Sequence, residues 1–157
     1  MKLKLFIIAG FLGLVLFTNC SNSKQEKATY KEKIQEWQNG RLKNLKSEDG
    51  WLNLAGLYWL KEGENTIGSD STNNIVFPDK APTNLGTVQL QNNKITFRAE
   101  EDALVANKKG EKIDTTQMNH DQEDGTTILQ HGPLRWFVIK RGDKFGIRLR
   151  DLQSPLL

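Results

Sequence analysis

The sequence predicts a mainly β protein, an antiparallel β-sandwich or partly open barrel preceded by one amphipathic α-helix. Three observations carry this expectation. From Trp51 onward, short apolar runs alternate with Gly, Pro, Asn and Asp, the pattern of successive strands and turns. Within Lys144 to Leu152, Phe145, Ile147 and Leu149 alternate with Gly146, Arg148 and Arg150, so the two sets point to opposite faces of a strand. Upstream, Tyr30, Ile34, Trp37, Arg41 and Leu45 recur at helical spacing and share one helical face.

The chain opens with the three parts of an export signal: Lys2 and Lys4, then the apolar stretch Leu5 to Phe17, then Thr18-Asn19-Cys20. The apolar stretch falls short of the roughly 20 residues that a helix needs to cross a bilayer. Cys20 is the single cysteine of the chain, so it forms no internal disulfide. The segment Leu16-Phe17-Thr18-Asn19-Cys20 resembles the bacterial lipobox, with Asn19 where Gly or Ala is usual. That resemblance implies cleavage before Cys20 and acylation of its sulfur. The expected organisation is therefore a signal peptide over 1–19, a flexible tether over 20–28 and one domain over 29–157.

Thr29-Tyr30-Lys31-Glu32 is a capping-box pattern and sets the expected helix at 29–49, with Gly50 as its stop. The sheets are expected over 50–157. Trp51 to Leu60 is apolar on both alternating faces and fits a buried strand or a short helix; with the turn at 61–65 it reads as a hairpin returning through Thr66-Ile67-Gly68, and Asn74 to Phe77 reads as a short strand stopped by Pro78. Gly86 to Leu90 and Lys94 to Ala99 form a hairpin across Asn92-Asn93, residues that tolerate positive φ. Residues 100–125 are polar and acidic and read as a loop region. Leu134 to Lys140 is apolar on both faces, as a central strand is. Arg141-Gly142-Asp143 then turns the chain into the last strand, whose outer edge is expected to lie open.

The chain carries 22 basic and 19 acidic residues, a net charge of +3. Without Lys2 and Lys4, 20 basic residues face 19 acidic ones, and from Gly50 onward 13 face 14. No coherent basic excess remains, which argues against a nucleic-acid partner.

No catalytic residue, cofactor site or metal ligand set stands out. His120-Asp121-Gln122-Glu123-Asp124 offers an imidazole and carboxylates, but His131 completes no zinc-like spacing. There is no Gly-x-Ser-x-Gly elbow and no phosphate-cradling glycine pattern. Candidate ligand-binding residues are Arg41, Arg135, Arg148 and Arg150. The last two share a strand face and, with Arg135, have the chemistry to receive an anion such as phosphate or a sugar acid. An exposed face with cross-strand ion pairs gives the same pattern. Trp37, Trp51, Tyr58, Trp59 and Trp136 have the chemistry of a carbohydrate-stacking platform, but aromatics more often fill a core, and these are expected to supply core volume.

Trp37-x-x-x-Arg41, the block from Gly50 to Pro78, Ala81-Pro82 with Leu85-Gly86, and Gly146 to Asp151 followed by Ser154-Pro155 resemble the bacterial domain of unknown function 1684 family. The resemblance implies an exported β-rich protein, and it transfers no catalytic residues. Members continue past the Arg-Asp-x-x-Ser-Pro segment, so a C-terminal portion is expected to be missing here. A weaker resemblance, over Gly63 to Phe77 and Asp151 to Ser154, is to forkhead-associated (FHA) domains, which are phosphothreonine-binding β-sandwiches. Gly68-Ser69 stands where that family has Gly-Arg, and no Ser-x-x-His follows.

The expected role is a membrane-anchored lipoprotein of the bacterial cell envelope, at the outer membrane. Its partners would be the bilayer, through acylated Cys20, and an envelope protein or small anionic ligand. Two alternatives remain: a hydrolase-like enzyme using the 100–125 loop with an incomplete site, and a degenerate FHA-like peptide-binding module.

Overall fold

The computed structural model describes residues 22–157. Cys20 and the signal segment 1–19 lie outside the described residues. The chain forms two compact units, one ending at Asn44 and one running from Leu45 to Leu157.

Helix α1 spans Asn22–Lys46. It starts ahead of the Thr29 capping box, so most of the segment read as a flexible tether is helical. Lys24, Gln25, Glu26, Lys27 and Ala28 are good helix formers, and they extend the helix backward from the predicted cap. At the other end it stops at Lys46, and Gly50 N–H closes a turn onto Ser47 O (2.8 Å). The stripe Tyr30, Ile34 and Trp37 is exposed. Among the described residues no helix is long and apolar enough to cross a membrane.

The second unit is a β-sandwich. Its strands are β1 (Leu54–Trp59), β2 (Gly63–Gly68), β3 (Ile75–Val76), β4 (Gly86–Gln91), β5 (Lys94–Ala99), β6 (Ala106–Asn107), β7 (Thr115–Gln117), β8 (Ile128–His131), β9 (Leu134–Arg141) and β10 (Lys144–Asp151). The first sheet has the order β1-β10-β9-β8-β6, and the second β3-β2-β4-β5-β7. All pairings are antiparallel except β2 with β3, which run parallel. The two sheets stay separate, so the sandwich is realised and the barrel is not.

Three hairpins follow the local turn chemistry. β4 and β5 join through Asn92 and Asn93, both at positive φ (51° and 62°). β8–β9 and β9–β10 turn at Gly132 and Gly142. The predicted hairpin between the first two strands does not form. β1 belongs to the first sheet and β2 to the second, and the chain crosses between them. Buried Asn65 shapes that crossing: its Oδ1 accepts from Lys61 N–H (2.9 Å), and its Nδ2 donates to Lys61 O (2.8 Å) and Val88 O (3.2 Å).

The expectation of an open edge on the last strand is also overturned. β10 is paired on both sides, with β1 and with β9, and β1 is the edge. At the far end of β2, a Cβ on Gly68 would stand 2.0 Å from Thr83 O, so that strand end admits no side chain without a backbone shift.

The core lies between the sheets. Phe145, Ile147 and Leu149 of β10 and Leu134, Trp136 and Val138 of β9 meet Ile67, Val88, Ile95 and Phe97 of the second sheet. Trp136 is fully buried and meets Phe77 and Phe97 edge-on, at 5.7 and 5.8 Å between ring centres. Each such burial contributes about 1.5–3 kcal/mol. Of the aromatics expected in the core, Trp136 is fully inside and Tyr58 packs against the core, whereas Trp37, Trp51 and Trp59 are exposed. The 100–125 region carries β6 and β7, and it buries Ala103, Val105 and Met118 in the core.

Candidate functional site

The outward side of the first sheet is built by strand register. One cross-strand row runs Leu57, Arg148, Phe137, Ile128. The next runs Leu54, Arg150, Arg135, Gln130. A third sets Trp59 beside Gly146 and Ile139. The surface therefore combines apolar and aromatic groups with arginines, and strand β9 is apolar on both faces, as its sequence predicts.

Two shallow hollows open on this surface and share Asp49, Phe137 and Arg150. The first, of about 200 Å³, also takes in Glu48, Lys108, Ile128 and Arg135. The second, of about 230 Å³, takes in Trp51, Leu54, Asp121, Ile139, Arg141 and Arg148.

The three arginines on this face have different fates. Arg135 folds back on its own turn and donates to Gly132 O (2.7 Å) and Leu134 O (2.9 Å). Arg150 is a structural clamp. Its guanidinium donates to Gly50 O, to Asn53 Oδ1 (2.8 Å) and to Glu48 O (3.3 Å), and it lies 5.8 Å from the Phe137 ring centre. Buried Asn53 completes the clamp by donating to Ser47 O (3.0 Å) and Glu48 O (2.6 Å). Burial lowers the Arg150 guanidinium below its ordinary value; the Asp49 charge opposes this and the Arg148 charge adds to it.

Arg148 is different. It makes no hydrogen bond and no ion pair with any described residue. The cross-strand ion pairs expected of an exposed strand face are absent for Arg148 and Arg150 alike. The register explains it: Arg148 stands opposite Phe137 and Leu57, and Arg150 opposite Arg135 and Leu54, with no carboxylate among them.

Arg41 belongs to the helical unit, where its guanidinium lies 5.6 Å from the Trp37 ring centre, one helical turn away. Cys20 lies outside the described residues.

The 120–124 loop is held by its own bonds. His120 N–H donates to Glu123 Oε2 (2.9 Å), and its Nδ1 accepts from Gln122 N–H (3.2 Å). Its ring lies 5.6 Å from that of Phe145. Asp121 ties the loop to β9, accepting from Lys140 N–H (2.9 Å) and from the Arg141 guanidinium (2.7 Å). Burial acts to raise the Asp121 carboxyl, but those two hydrogen bonds and the charges of Arg141 and His120 hold it below the ordinary carboxylate value. The same ion pair occupies the arginine of the Arg141-Gly142-Asp143 tripeptide. His131 is turned elsewhere, with Nδ1 3.0 Å from Leu104 O. Among the described residues no three His, Cys, Asp or Glu side chains gather as a metal site.

Leu57, Phe137 and Ile139 belong to this surface and are not singled out by the sequence as site residues, and Trp51 and Trp59, assigned from the sequence to the core, belong to it as well. The two-faced apolarity of β9 is the signal that contained two of them.

No protein-family model matches the chain. No curated protein matches it either. Among solved structures, it is similar to an FHA domain from a structural and functional analysis of phosphothreonine-dependent FHA domain interactions, at 14% identity and TM-score 0.40, covering 60% of this chain and 92% of that one. It is also similar to the FhaA FHA domain complexed with the intracellular domain of Rv3910, at 14% identity and TM-score 0.41, covering 60% and 97%. A third is the FHA structure of Rv0020c, at 13% identity and TM-score 0.40, covering 61% and 94%. At these values the likeness says nothing about ligand or activity.

Proposed function

We propose that this chain is a non-enzymatic binding module of a bacterial envelope, anchored by acylated Cys20, that takes an anionic group of its partner at Arg148 on the outward side of the first sheet. The observation that carries the binding reading is Arg148 itself, a guanidinium without a partner in a hollow walled by Trp51, Ile139 and Phe137, where Asp121 is already paired with Arg141 and Asp49 stands beside Arg150. Aromatic residues and arginine are the types enriched where proteins recognise partners. Arg150, which lines that hollow, is tied in place by Asn53 and by the backbone of Glu48 and Gly50, which favours a preformed site for an arriving carboxylate or phosphate.

The anchoring rests on the lipobox-like segment ending at Cys20, and the family placement on the Gly50 to Pro78 block. Two or more acyl chains would hold the protein stably, because each buried methylene contributes about 0.8 kcal/mol.

Calorimetric titration of the full chain with inorganic phosphate and with glucuronate tests the site. Saturable binding that disappears in Arg148→Gln, at unchanged melting temperature, is expected. Equal heats for both proteins would remove the site, and metal-dependent turnover abolished by His120→Ala would replace the binding reading with an enzymatic one. Mass spectrometry of the mature N-terminus tests the anchor separately: an unmodified Cys20 sulfur would end that part of the proposal.

A further inference from the structure

The sandwich has four edges, and they are unequal. β3 and β6 are two residues long and β7 is three, so they expose little unpaired backbone. β1 has six residues, Leu-Ala-Gly-Leu-Tyr-Trp. Natural edge strands are usually blunted by brevity, charge or proline. β1 has no charged residue and no proline, and a bulge between Leu54 and Gly56 is its one irregularity.

The register identifies the free backbone groups. Leu60 N–H donates to Phe145 O (2.9 Å), so Tyr58 and Gly56, at alternate positions, likewise face β10. Leu57 and Trp59 therefore direct their N–H and C=O groups away from the sheet. Their side chains stand on the outward surface, 40% and 47% exposed. Directly across β1 from this edge, opposite Leu57, is the unpartnered Arg148.

We infer that β1 is a strand-addition site for an extended, acidic segment of a partner protein. The added strand bonds to the backbone of Leu57 and Trp59, sets apolar side chains over theirs, and presents a glutamate or aspartate to Arg148. A strand added beside β1 lies about 9.6 Å from β10, two strand spacings, which a glutamate and an arginine reaching toward each other can span. Charge decides the occupant: a second copy of β1 would bring no carboxylate to Arg148, whereas an acidic segment neutralises it. The inference rests on the binding reading above only for the role of Arg148; the edge is an independent feature.

The test selects binders from a displayed library of random linear decapeptides against the full chain in detergent. Enriched peptides should alternate apolar residues and carry an acidic one at a fixed position. The selected peptide should bind Leu57→Pro about tenfold or more weakly, since proline removes an outward N–H and leaves the β10 ladder intact. It should also bind Arg148→Gln about tenfold more weakly. In the unmutated chain, the amides of Leu57 and Trp59 should change from fast to slow hydrogen exchange when the peptide is added, a readout that stands even if the proline variant does not fold. No enriched peptide, or enriched peptides without acidic residues, would overturn the inference. So would fast exchange at both amides in the complex, or a sedimenting dimer whose β1 amides are protected without peptide. Loss of peptide binding in Arg148→Gln but not in Leu57→Pro would overturn the edge and leave the Arg148 site standing.

Discussion

The two sheets share one core and have opposite backs. On the outward side of the second sheet, one row reads Glu64, Gln89, Thr96, Gln117, and the next Thr66, Thr87, Arg98, Thr115. Every residue of these two rows is polar, the alternation expected of an antiparallel sheet with one wet face, and Val76, opposite Gly68, is the exposed apolar residue of the row beside them. The corresponding rows of the first sheet hold Leu57, Phe137, Ile128 and three arginines, with Ile139 and Trp59 beside them. Leu57 and Trp59 are exposed there while Ile139 is buried, and solvation alone does not call for exposed neighbours of this kind, because apolar groups exposed together cost free energy. The second sheet shows what this sandwich needs in order to fold, and the first shows what has been added to that requirement.

The comparison predicts that the shared interior governs stability. Trp136→Ala is expected to cost about 3–5 kcal/mol, because it empties the space between Phe77 and Phe97 and both sheets lose the contact. Urea unfolding would measure it. If only part of the β signal were lost, the two sheets would not be one cooperative structure.

A smaller effect separates structural from free arginines within the first sheet. Arg150→Gln is expected to cost about 1–3 kcal/mol, since Gly50 O, Glu48 O and Asn53 lose their charged donor and Asn53 is buried. The same urea titration reads this. No change would mean that the 47–53 segment is held without the clamp.

Sequence periodicity put Arg148 and Arg150 on one face, and the structure agrees. It gave no means of telling them apart, because their difference is made by Gly50 and Asn53, about a hundred residues away in the chain. Hairpins at Asn92-Asn93, Gly132 and Gly142 were legible because turn chemistry is local. The passage from β1 to β2 was not, since two apolar runs around a turn read the same whether they pair or part into different sheets. The helix start was misplaced for a related reason: a capping box marks a favourable start, and the helix formers before Thr29 continue the helix past it.

The loop-to-sheet tie at Asp121 makes the first sheet sensitive to acid. Its folded-state value lies below the ordinary carboxylate one, about 3.9 in an unfolded chain. A carboxyl depressed on folding adds stability above its unfolded value, and that stability is lost as pH falls through the folded value. Asp121→Asn should therefore be about 1 kcal/mol less stable at neutral pH, a modest figure because Arg141 is half exposed. The deficit should shrink as the pH is taken below about 4. A deficit independent of pH would assign the effect to shape instead of charge.

The smallest expected change is the most informative about the first sheet's back. Arg148 touches no partner, so Arg148→Gln should alter stability by less than about 0.5 kcal/mol, as a substitution such as Thr96→Ala on the second sheet should. The two must part in binding: Arg148→Gln loses phosphate affinity, and Thr96→Ala keeps it. A conserved fold with a lost ligand would separate what this surface does from what holds the sandwich together. If instead Arg148→Gln destabilised the protein as Arg150→Gln is expected to, the outward arginines would be structural and the contrast between the two backs would carry no functional meaning.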